Sequence, residues 1–345
     1  LSGPAARFGS RRSLLLMFIL FPLCTMMGGM VAGSMMLLIA SRLLLGIAQG
    51  PHFPLMNTVT KHWFPPNERS RANGIFIGGM LVAPLLTPLL LVKIVELWGW
   101  RIMLFSVGAG GMLLAWPLIW LCVYDTPRRF KLLSADELAY IEGSLEPEEA
   151  MRRDWRFLKD SKFWLALLIA ILNNFTVFGV MFWLPIYFTE AHHLPFNDLQ
   201  YAAMLPYLIG CAGLVIMAWL GDMLNRRVLL AGFGYLITAV CVYLASQSSS
   251  VSLVILWFAA AVFFQFAYGA QEFAILQRIL PRSAISNGAG FYNGIAVLIG
   301  GLLSSEGIGK LVEYSGSYNV GLFSVVIGAV VTGIALLWLA RTLKY

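Results

Sequence analysis

Charged residues are scarce in this chain of 345 residues: Asp, Glu, Lys and Arg together make up only 12% of it. A soluble globular domain has about 25% charged residues, whereas this chain is 59% hydrophobic with a mean hydropathy of +0.78. The composition therefore excludes a soluble domain and indicates a protein embedded in a membrane. Cysteine is also rare. The four cysteines show no paired spacing, so neither a disulfide framework nor a cysteine metal site is expected.

Motifs of catalysis are missing as well. The sequence contains no HExxH and no G-x-S-x-G nucleophile elbow, and only four histidines. The adjacent pair His192 and His193 is too little to predict a metal site. An enzyme is therefore not expected, and neither a metal nor a cofactor is assigned.

Long apolar stretches dominate what remains. Each is about 18 to 27 residues long, enough for a helix to cross about 30 Å of hydrocarbon. They lack the strict alternation of barrel strands, so the predicted fold is an all-α integral membrane protein. Ten stretches can be counted: 13–32, 35–60, 72–95, 102–124, 163–188, 200–221, 228–246, 251–277, 284–305 and 319–341.

Basic residues lie mainly in alternate connections between these stretches. Of the 24 Lys and Arg residues, 20 fall in those connections or in the terminal segments. Cytoplasmic loops of membrane proteins carry such an excess, so both ends are predicted to be cytoplasmic, in a bacterial inner membrane. The net charge of +7 then reflects topology, and nucleic-acid binding is not expected. Lipid is the expected surrounding, and a monomer is the predicted state.

One long polar stretch, 125–161, separates four apolar stretches from six. It divides the chain into an N-terminal half-bundle at 1–124, a cytoplasmic connection, and a six-helix half-bundle at 162–345. Ser134 and Glu137 form a capping-box pattern, which predicts a short amphipathic helix in the connection. A merely solvated loop remains the alternative.

A weak internal repeat supports the two halves. RFGSRR at 7–12 and GDMLNRR at 221–227 are both short basic turns between apolar stretches. Two stretches precede the second copy within its half, whereas none precedes the first. If the copies are equivalent, the chain holds about ten helices of an expected twelve and lacks the first two.

Arg42 is the costliest residue in these stretches. It lies within SMMLLIASRLLLGIAQGPHFPLM, and an arginine at a helix centre in a membrane costs roughly 2.5–3.5 kcal/mol. Such a cation faces a water-filled path, binds an anion, pairs with a buried acid or extends to the membrane surface. The first three uses indicate transport.

The whole layout resembles the major facilitator superfamily, whose two halves each carry a turn of the form G-x-x-x-D-x-x-x-R-[RK]. More closely, it resembles the anion:cation symporters, a family of sugar-acid and organic-anion transporters that includes sialin-like proteins. The matching stretches are SRLLLGIAQGPHFP, KHWFPPNERSRANGIF, ELWGWRIMLF, YDTPRRF, LSADELAYIE, FWLPIYF and LPRSAISNGAGFYNGIAVLIGG. They run across nearly the whole chain in the family's order.

This resemblance implies a substrate site between the two halves and alternating access to it. Arg42 matches an arginine of family helix 4 that is associated with the anionic substrate. Gln49, two helical turns on, stands where the family usually has a glutamate linked to proton coupling. Glutamine cannot titrate, so Glu272, an acid inside a span, becomes the proton-coupling candidate; its alternative is a structural ion pair.

Other candidates follow from the same resemblance. Asn293 matches an asparagine of family helix 11 that contacts substrate, and Tyr292 is beside it. Further substrate-binding candidates are Phe53, Gln271 and Phe273. The second turn, with Asp222, Arg226 and Arg227, is a candidate conformational lock, whereas the first copy of the turn contains no acid.

The predicted function is secondary active transport of a small organic anion, a carboxylate or sugar acid, with proton coupling. Two alternatives stay open. One is facilitated diffusion without protons, and the other is a membrane sensor or assembly protein that reuses the bundle without transporting.

Overall fold

The computed structural model of the protein describes residues 9–31, 33–65, 68–130, 132–144, 155–224, 226–280 and 285–343. All regular secondary structure in these residues is helical, which confirms the predicted all-α class. The chain forms two compact units, Leu1–Ala83 with Leu90–Glu149 and Pro84–Leu89 with Ala150–Tyr345.

Helices account for most of the first unit. Its α-helices are α1 (Ser10–Met30), α2 (Met35–Gln49), α3 (His52–Trp63), α4 (Arg69–Gly110, which passes through Pro84–Leu89), α5 (Trp116–Cys122) and α6 (Ala135–Ser144). A π-helical turn, Gly111–Ala115, joins α4 to α5, and a short 3-10 helix spans Pro127–Arg129.

The second unit is also helical. Its α-helices are α7 (Ser161–Ile186), α8 (Phe196–Leu224), α9 (Arg227–Gln247), α10 (Val251–Gly269), α11 (Glu272–Ile279), α12 (Ile285–Leu302), α13 (Ile308–Ser315) and α14 (Tyr318–Thr342). A 3-10 helix, Arg156–Lys159, precedes α7, and π-helical turns follow α7 and α12 at Tyr187–Ala191 and Leu303–Gly307.

Eight helical segments of the described chain are long and apolar enough to cross a membrane, and Met35–Gln49 is a shorter apolar helix. Seven of the ten predicted stretches coincide with one such segment each. The eight segments are Ser10–Met30, Leu86–Cys122, Ser161–Ala191, Asp198–Gly221, Arg227–Gln247, Val251–Ile279, Gly288–Ser315 and Tyr318–Thr342.

One predicted stretch of the first unit differs from the structure in detail. The stretch 35–60 is two helices, because the chain turns at Gly50 and Pro51 and proline has no N–H to continue the ladder. Between the stretches 72–95 and 102–124, the non-helical Gly99, with φ +82°, separates two helices that meet at a kink. Glycine adopts this left-handed conformation without steric cost.

The polar connection contains the short helix that its sequence predicts. The Ser134 hydroxyl accepts a hydrogen bond from the Glu137 amide at 3.2 Å, and the Glu137 carboxylate accepts one from the Ser134 amide at 3.1 Å. This reciprocal pair confirms the capping box at the start of α6. The exposed side chains of Arg128 and Glu142 form a two-point ion pair, and this contact lowers the pKa of the Glu142 carboxyl.

Close helix packing in the second unit depends on residues without side chains. A Cβ added at Gly300 on α12 would lie 2.6 Å from the Ile171 carbonyl oxygen and 2.6 Å from the Asn174 Cβ, both on α7. Carbon and oxygen atoms cannot approach so closely without a backbone shift. Small residues at such crossings let membrane helices pack by van der Waals contact.

Substituting Gly300 tests this crossing. We expect Gly300→Ala to lower the free energy of unfolding by about 1–3 kcal/mol, the usual cost of overpacking. Gly294→Ala, on the same helix, is the matched control, because a Cβ there meets no neighbouring atom within 4 Å. Thermal unfolding in detergent measures both. Equal midpoints for the two variants would contradict the proposed close approach.

Candidate functional site

Arg42 lies on α2 of the first unit, with its side chain exposed. Its guanidinium rests over Gly28 of α1: a Cβ added at Gly28 would come within 2.8 Å of an Arg42 guanidinium nitrogen. Among the described residues, no carboxylate lies within ion-pair distance of this guanidinium. The absence of a side chain at Gly28 therefore leaves room for the Arg42 guanidinium beside α1.

An open groove of about 540 Å³ surrounds Arg42 within the first unit. Apart from the arginine, its walls are apolar. The lining side chains are Met35, Leu38, Ile39, Leu43, Trp100, Met103 and Leu104. A guanidinium can hold a carboxylate by two parallel hydrogen bonds.

The other predicted residues of the first unit follow Arg42 along the chain. Gln49 is the last residue of α2 and is exposed. Phe53 is part of α3, but its side chain lies outside the described residues. Substrate contact by these two residues therefore stays a prediction.

A break between α10 and α11 positions the polar residues of the second unit. The span predicted at 251–277 is helical only to Gly269, and α11 begins at Glu272. Gln271, in the break, is buried, and its side-chain amide donates a hydrogen bond of 2.9 Å to the Met217 carbonyl of α8. The side chain fits closely against Gly221, where an added Cβ would lie only 2.0 Å from its amide nitrogen.

Glu272 is half-buried at the first position of α11. Its carboxyl interacts electrostatically with two tyrosines, Tyr268 on α10 and Tyr292 on α12. The hydroxyls of these tyrosines are hydrogen-bonded to each other at 2.7 Å, and both side chains are buried.

A third buried tyrosine lies beside this group. The Tyr235 hydroxyl of α9 donates a hydrogen bond to the Asn173 side chain of α7, and the buried Gln265 side chain of α10 is nearby. The rings of Tyr235 and Tyr268 meet edge to face at 6.0 Å. Five helices of the second unit therefore contribute to one polar cluster, which consists of Asn173, Tyr235, Gln265, Tyr268, Glu272 and Tyr292.

The remaining candidates of the second unit point elsewhere. Asn293 is exposed on α12, although its neighbour Tyr292 is buried. Phe273 is 48% exposed on α11. Substrate contact by Asn293, Tyr292, Gln271 and Phe273 stays a prediction, and the structure adds that Tyr292 and Gln271 already have protein partners.

The predicted conformational lock is only partly visible. Asp222 is within α8, but its side chain lies outside the described residues. Arg226 is exposed just before α9, and Arg227, the first residue of α9, is half-buried. Their gating role stays a prediction.

Sequence reasoning missed Tyr235, Tyr268 and Gln265. One signal was available: Gln265, Tyr268 and Glu272 are spaced by three and four residues, so they share one helix face. No group of three potential metal ligands occurs among the residues that the structure describes. The structure thus provides an arginine groove in one unit and a carboxyl–hydroxyl cluster in the other.

Comparison with known proteins identifies the family. The profile of the Major Facilitator Superfamily matches residues 2–308 of the chain. The protein belongs to the Major Facilitator Superfamily. This confirms the superfamily expected from the sequence motifs, and the protein is a multi-pass membrane protein of a transporter family rather than an enzyme.

Two curated relatives and one solved structure show the range of likeness. The D-galactonate transporter of Escherichia coli O6:H1 is 27% identical over 326 residues, covering 89% of this chain and 75% of the relative. Probable anion transporter 6 of Oryza sativa subsp. japonica is 35% identical over 213 residues, covering 59% of this chain and about half (48%) of the relative. A crystal structure of a D-xylose-proton symporter has a TM-score of 0.76 at 17% identity, covering 97% of this chain and 82% of that one.

The contact between Gly221 and Gln271 yields a prediction for this superfamily member. Gly221→Ala alone should destabilise the protein, because the new methyl overlaps the Gln271 amide. In a Gln271→Ala background the same change should cost little, which gives a coupling energy of about 1 kcal/mol or more. A double-mutant cycle of thermal unfolding measures it, and strictly additive effects would show that the two residues do not constrain each other.

Proposed function

We propose that this protein carries a small organic anion, a carboxylate or sugar acid, across a membrane by alternating access, and that protons drive the transport. The observation that supports an anionic substrate is the position of Arg42 in an apolar groove. Family membership supports transport, and the names of the relatives, which include a galactonate transporter and an anion transporter, support the substrate class.

The physical argument for a binding role of Arg42 is the free-energy cost of placing a guanidinium in a membrane. A guanidinium inside an apolar helix is retained when a bound anion offsets the loss of hydration. Gln49 offers the substrate neutral hydrogen bonds two turns along α2, and Asn293 offers an amide that suits the hydroxyls of a sugar acid. We further propose that both ends of the chain are cytoplasmic and that the membrane is a bacterial inner membrane. The distribution of basic loops supports this part of the proposal.

Uptake by the purified protein in proteoliposomes tests anion recognition, with D-galactonate as the first probe. We expect Arg42→Ala to weaken apparent affinity about 30- to 160-fold, because a lost charge-assisted contact costs about 2–3 kcal/mol. Arg42→Lys should keep part of the affinity, since the charge remains but the two-point geometry is lost.

Lys93→Ala is the matched control for Arg42. Lys93 is an exposed cation of α4 that does not line the groove, so its loss should leave uptake unchanged. Unaltered uptake of every accepted anion by Arg42→Ala would refute the binding role. Binding without uptake by the wild-type protein would favour the sensor alternative.

Proton coupling is tested at Glu272. An inward gradient of one pH unit stores about 1.4 kcal/mol per proton, which supports about tenfold accumulation when one proton accompanies one monovalent anion. We expect Glu272→Gln to lose this accumulation and to retain exchange of internal for external anion. If the variant still accumulates anion as the wild type does, Glu272 is not the coupling acid. If the wild type itself ignores the gradient, transport is facilitated diffusion.

A further inference from the structure

The first copy of the internal repeat, RFGSRR, differs from the second copy in having no acid. Its described part forms the start of α1, where Gly9 is the N-cap and has no side chain to cap the free amides. Arg11 and Arg12 lie in the first turn, where the helix dipole disfavours cations. The start of α1 therefore lacks both a capping acceptor and a negative charge of its own.

Asp125, just after α5, supplies both. Its carboxylate accepts a hydrogen bond of 2.8 Å from the Arg11 amide, although the two residues are 114 apart in the chain. The carboxylate also lies against Gly9, where an added Cβ would be 3.1 Å from one of its oxygens. Gly9 has φ +88°, a conformation that favours glycine. The backbone at Gly9 thus leaves the room that the carboxylate occupies.

The Arg11 side chain makes the reverse connection. Its guanidinium donates to the Trp120 carbonyl, one of the last carbonyls of α5, and its central carbon lies 4.2 Å from the centre of the Tyr124 ring. A cation suits this position, because the last carbonyls of a helix carry partial negative charge. The start of α1 thus gives its cation to the end of α5, and the segment after α5 gives its acid to the start of α1.

The segment that carries Asp125 is itself bound to α3. The Trp63 indole donates a 2.7 Å hydrogen bond to the Tyr124 carbonyl, and His62 Nδ1 lies 3.1 Å from the Asp125 carbonyl, which can only accept. The Phe130 ring lies 5.7 Å from the ring of Trp63 and 5.4 Å from that of Tyr124. Asp125 is therefore held in place by its own backbone before it contacts α1.

We propose that Asp125 supplies the acid that the first copy of the turn lacks, and that its mutual contacts with Arg11 form a clasp that makes the ends of α1 and α5 move as one piece during transport. The clasp consists of Gly9, Arg11, Trp120, Tyr124 and Asp125, all in the first unit. Asp125 is a positioning residue, since it does not line the groove around Arg42. Its role in transport rests on the proposed function, whereas the clasp itself does not.

The apolar packing beside the clasp explains why charged contacts are needed there. Leu14 of α1, Leu55 of α3 and Ile119 of α5 belong to one apolar cluster. Apolar contacts hold helices together but are non-directional, whereas charge-assisted hydrogen bonds also fix a geometry. Alternating access moves one half of a transporter against the other as a largely rigid body. The helix ends of the first unit must then keep their arrangement while the unit moves.

Hydrogen–deuterium exchange of the full chain in detergent micelles tests the clasp without any transport assay. Fragmentation in the mass spectrometer resolves the first turn of α1. In Asp125→Ala we expect the Arg11 amide to exchange about tenfold faster, because one hydrogen bond to a charged acceptor is lost. Asp125→Asn keeps an acceptor of similar shape without the charge, so its exchange rate should lie between those of the wild type and Asp125→Ala.

Two further variants sharpen this test. Asp136→Ala is the matched control, because Asp136 is an exposed acid of the same polar connection without a hydrogen-bond or ion-pair partner among the described residues. It should leave the Arg11 amide unchanged. Arg11→Met removes the guanidinium and keeps the backbone amide. We expect it to speed exchange at Val123, whose amide closes the last turn of α5.

Three outcomes would overturn the clasp. An unchanged Arg11 amide in Asp125→Ala would show that the carboxylate does not hold the start of α1. Equal acceleration in Asp136→Ala would assign the effect to net charge. An unchanged Val123 amide in Arg11→Met would show that the arginine does not hold the end of α5.

Transport then separates this inference from the proposed function. With D-galactonate as the probe, Asp125→Ala should lower the maximal uptake rate severalfold and leave the apparent affinity at the wild-type value, in contrast to Arg42→Ala. Asp125→Asn should recover part of the rate. A loss of affinity like that of Arg42→Ala, or a wild-type rate in spite of faster amide exchange, would overturn the positioning role. If the wild type transports no anion, the proposed function fails, and amide exchange alone decides the clasp.

Discussion

The hydrogen bond from Gln271 to the Met217 carbonyl is the contact on which the polar cluster of the second unit depends. It holds the break between α10 and α11 against α8, and the absence of a side chain at Gly221 leaves room for it. Because α11 starts afresh after this break, Glu272 is its first residue and interacts electrostatically with Tyr268 and Tyr292. Interrupted helices in transporters characteristically mark such binding and coupling sites.

The apolar surroundings dictate the rest of the cluster. A buried hydroxyl or amide without a partner is costly where no water can replace it, and the second unit meets this demand in two ways. Thr176 and Thr332 donate to backbone carbonyls of the preceding turn, which satisfies them locally. Tyr235 and Tyr268 instead reach side chains on other helices. These tyrosines therefore link helices, whereas the two threonines do not.

Sequence reasoning succeeded where the bilayer thickness or a local sequence pattern determines the structure. Hydropathy over about 20 residues locates spans because the bilayer thickness is fixed, and the capping box of Ser134 and Glu137 is a local pattern with a local structure. It failed at Gly50 and Ala270, where a break is set by local backbone conformation or by a distant side chain rather than by mean hydropathy. Tyr235 and Asn173 are 62 residues apart in the chain, so no spacing rule could pair them.

The two candidate sites belong to different units, and thermodynamic coupling does not require them to touch. A proton and an anion are coupled when each binds one conformation of the protein better than another, and the linkage is reciprocal. A preference of about 1.4 kcal/mol at each site already changes the ratio of two conformations about tenfold. A glutamine at position 49 is therefore compatible with the proposed proton-driven transport, because an acid elsewhere in the chain need only favour, when protonated, the conformation that binding of the anion favours.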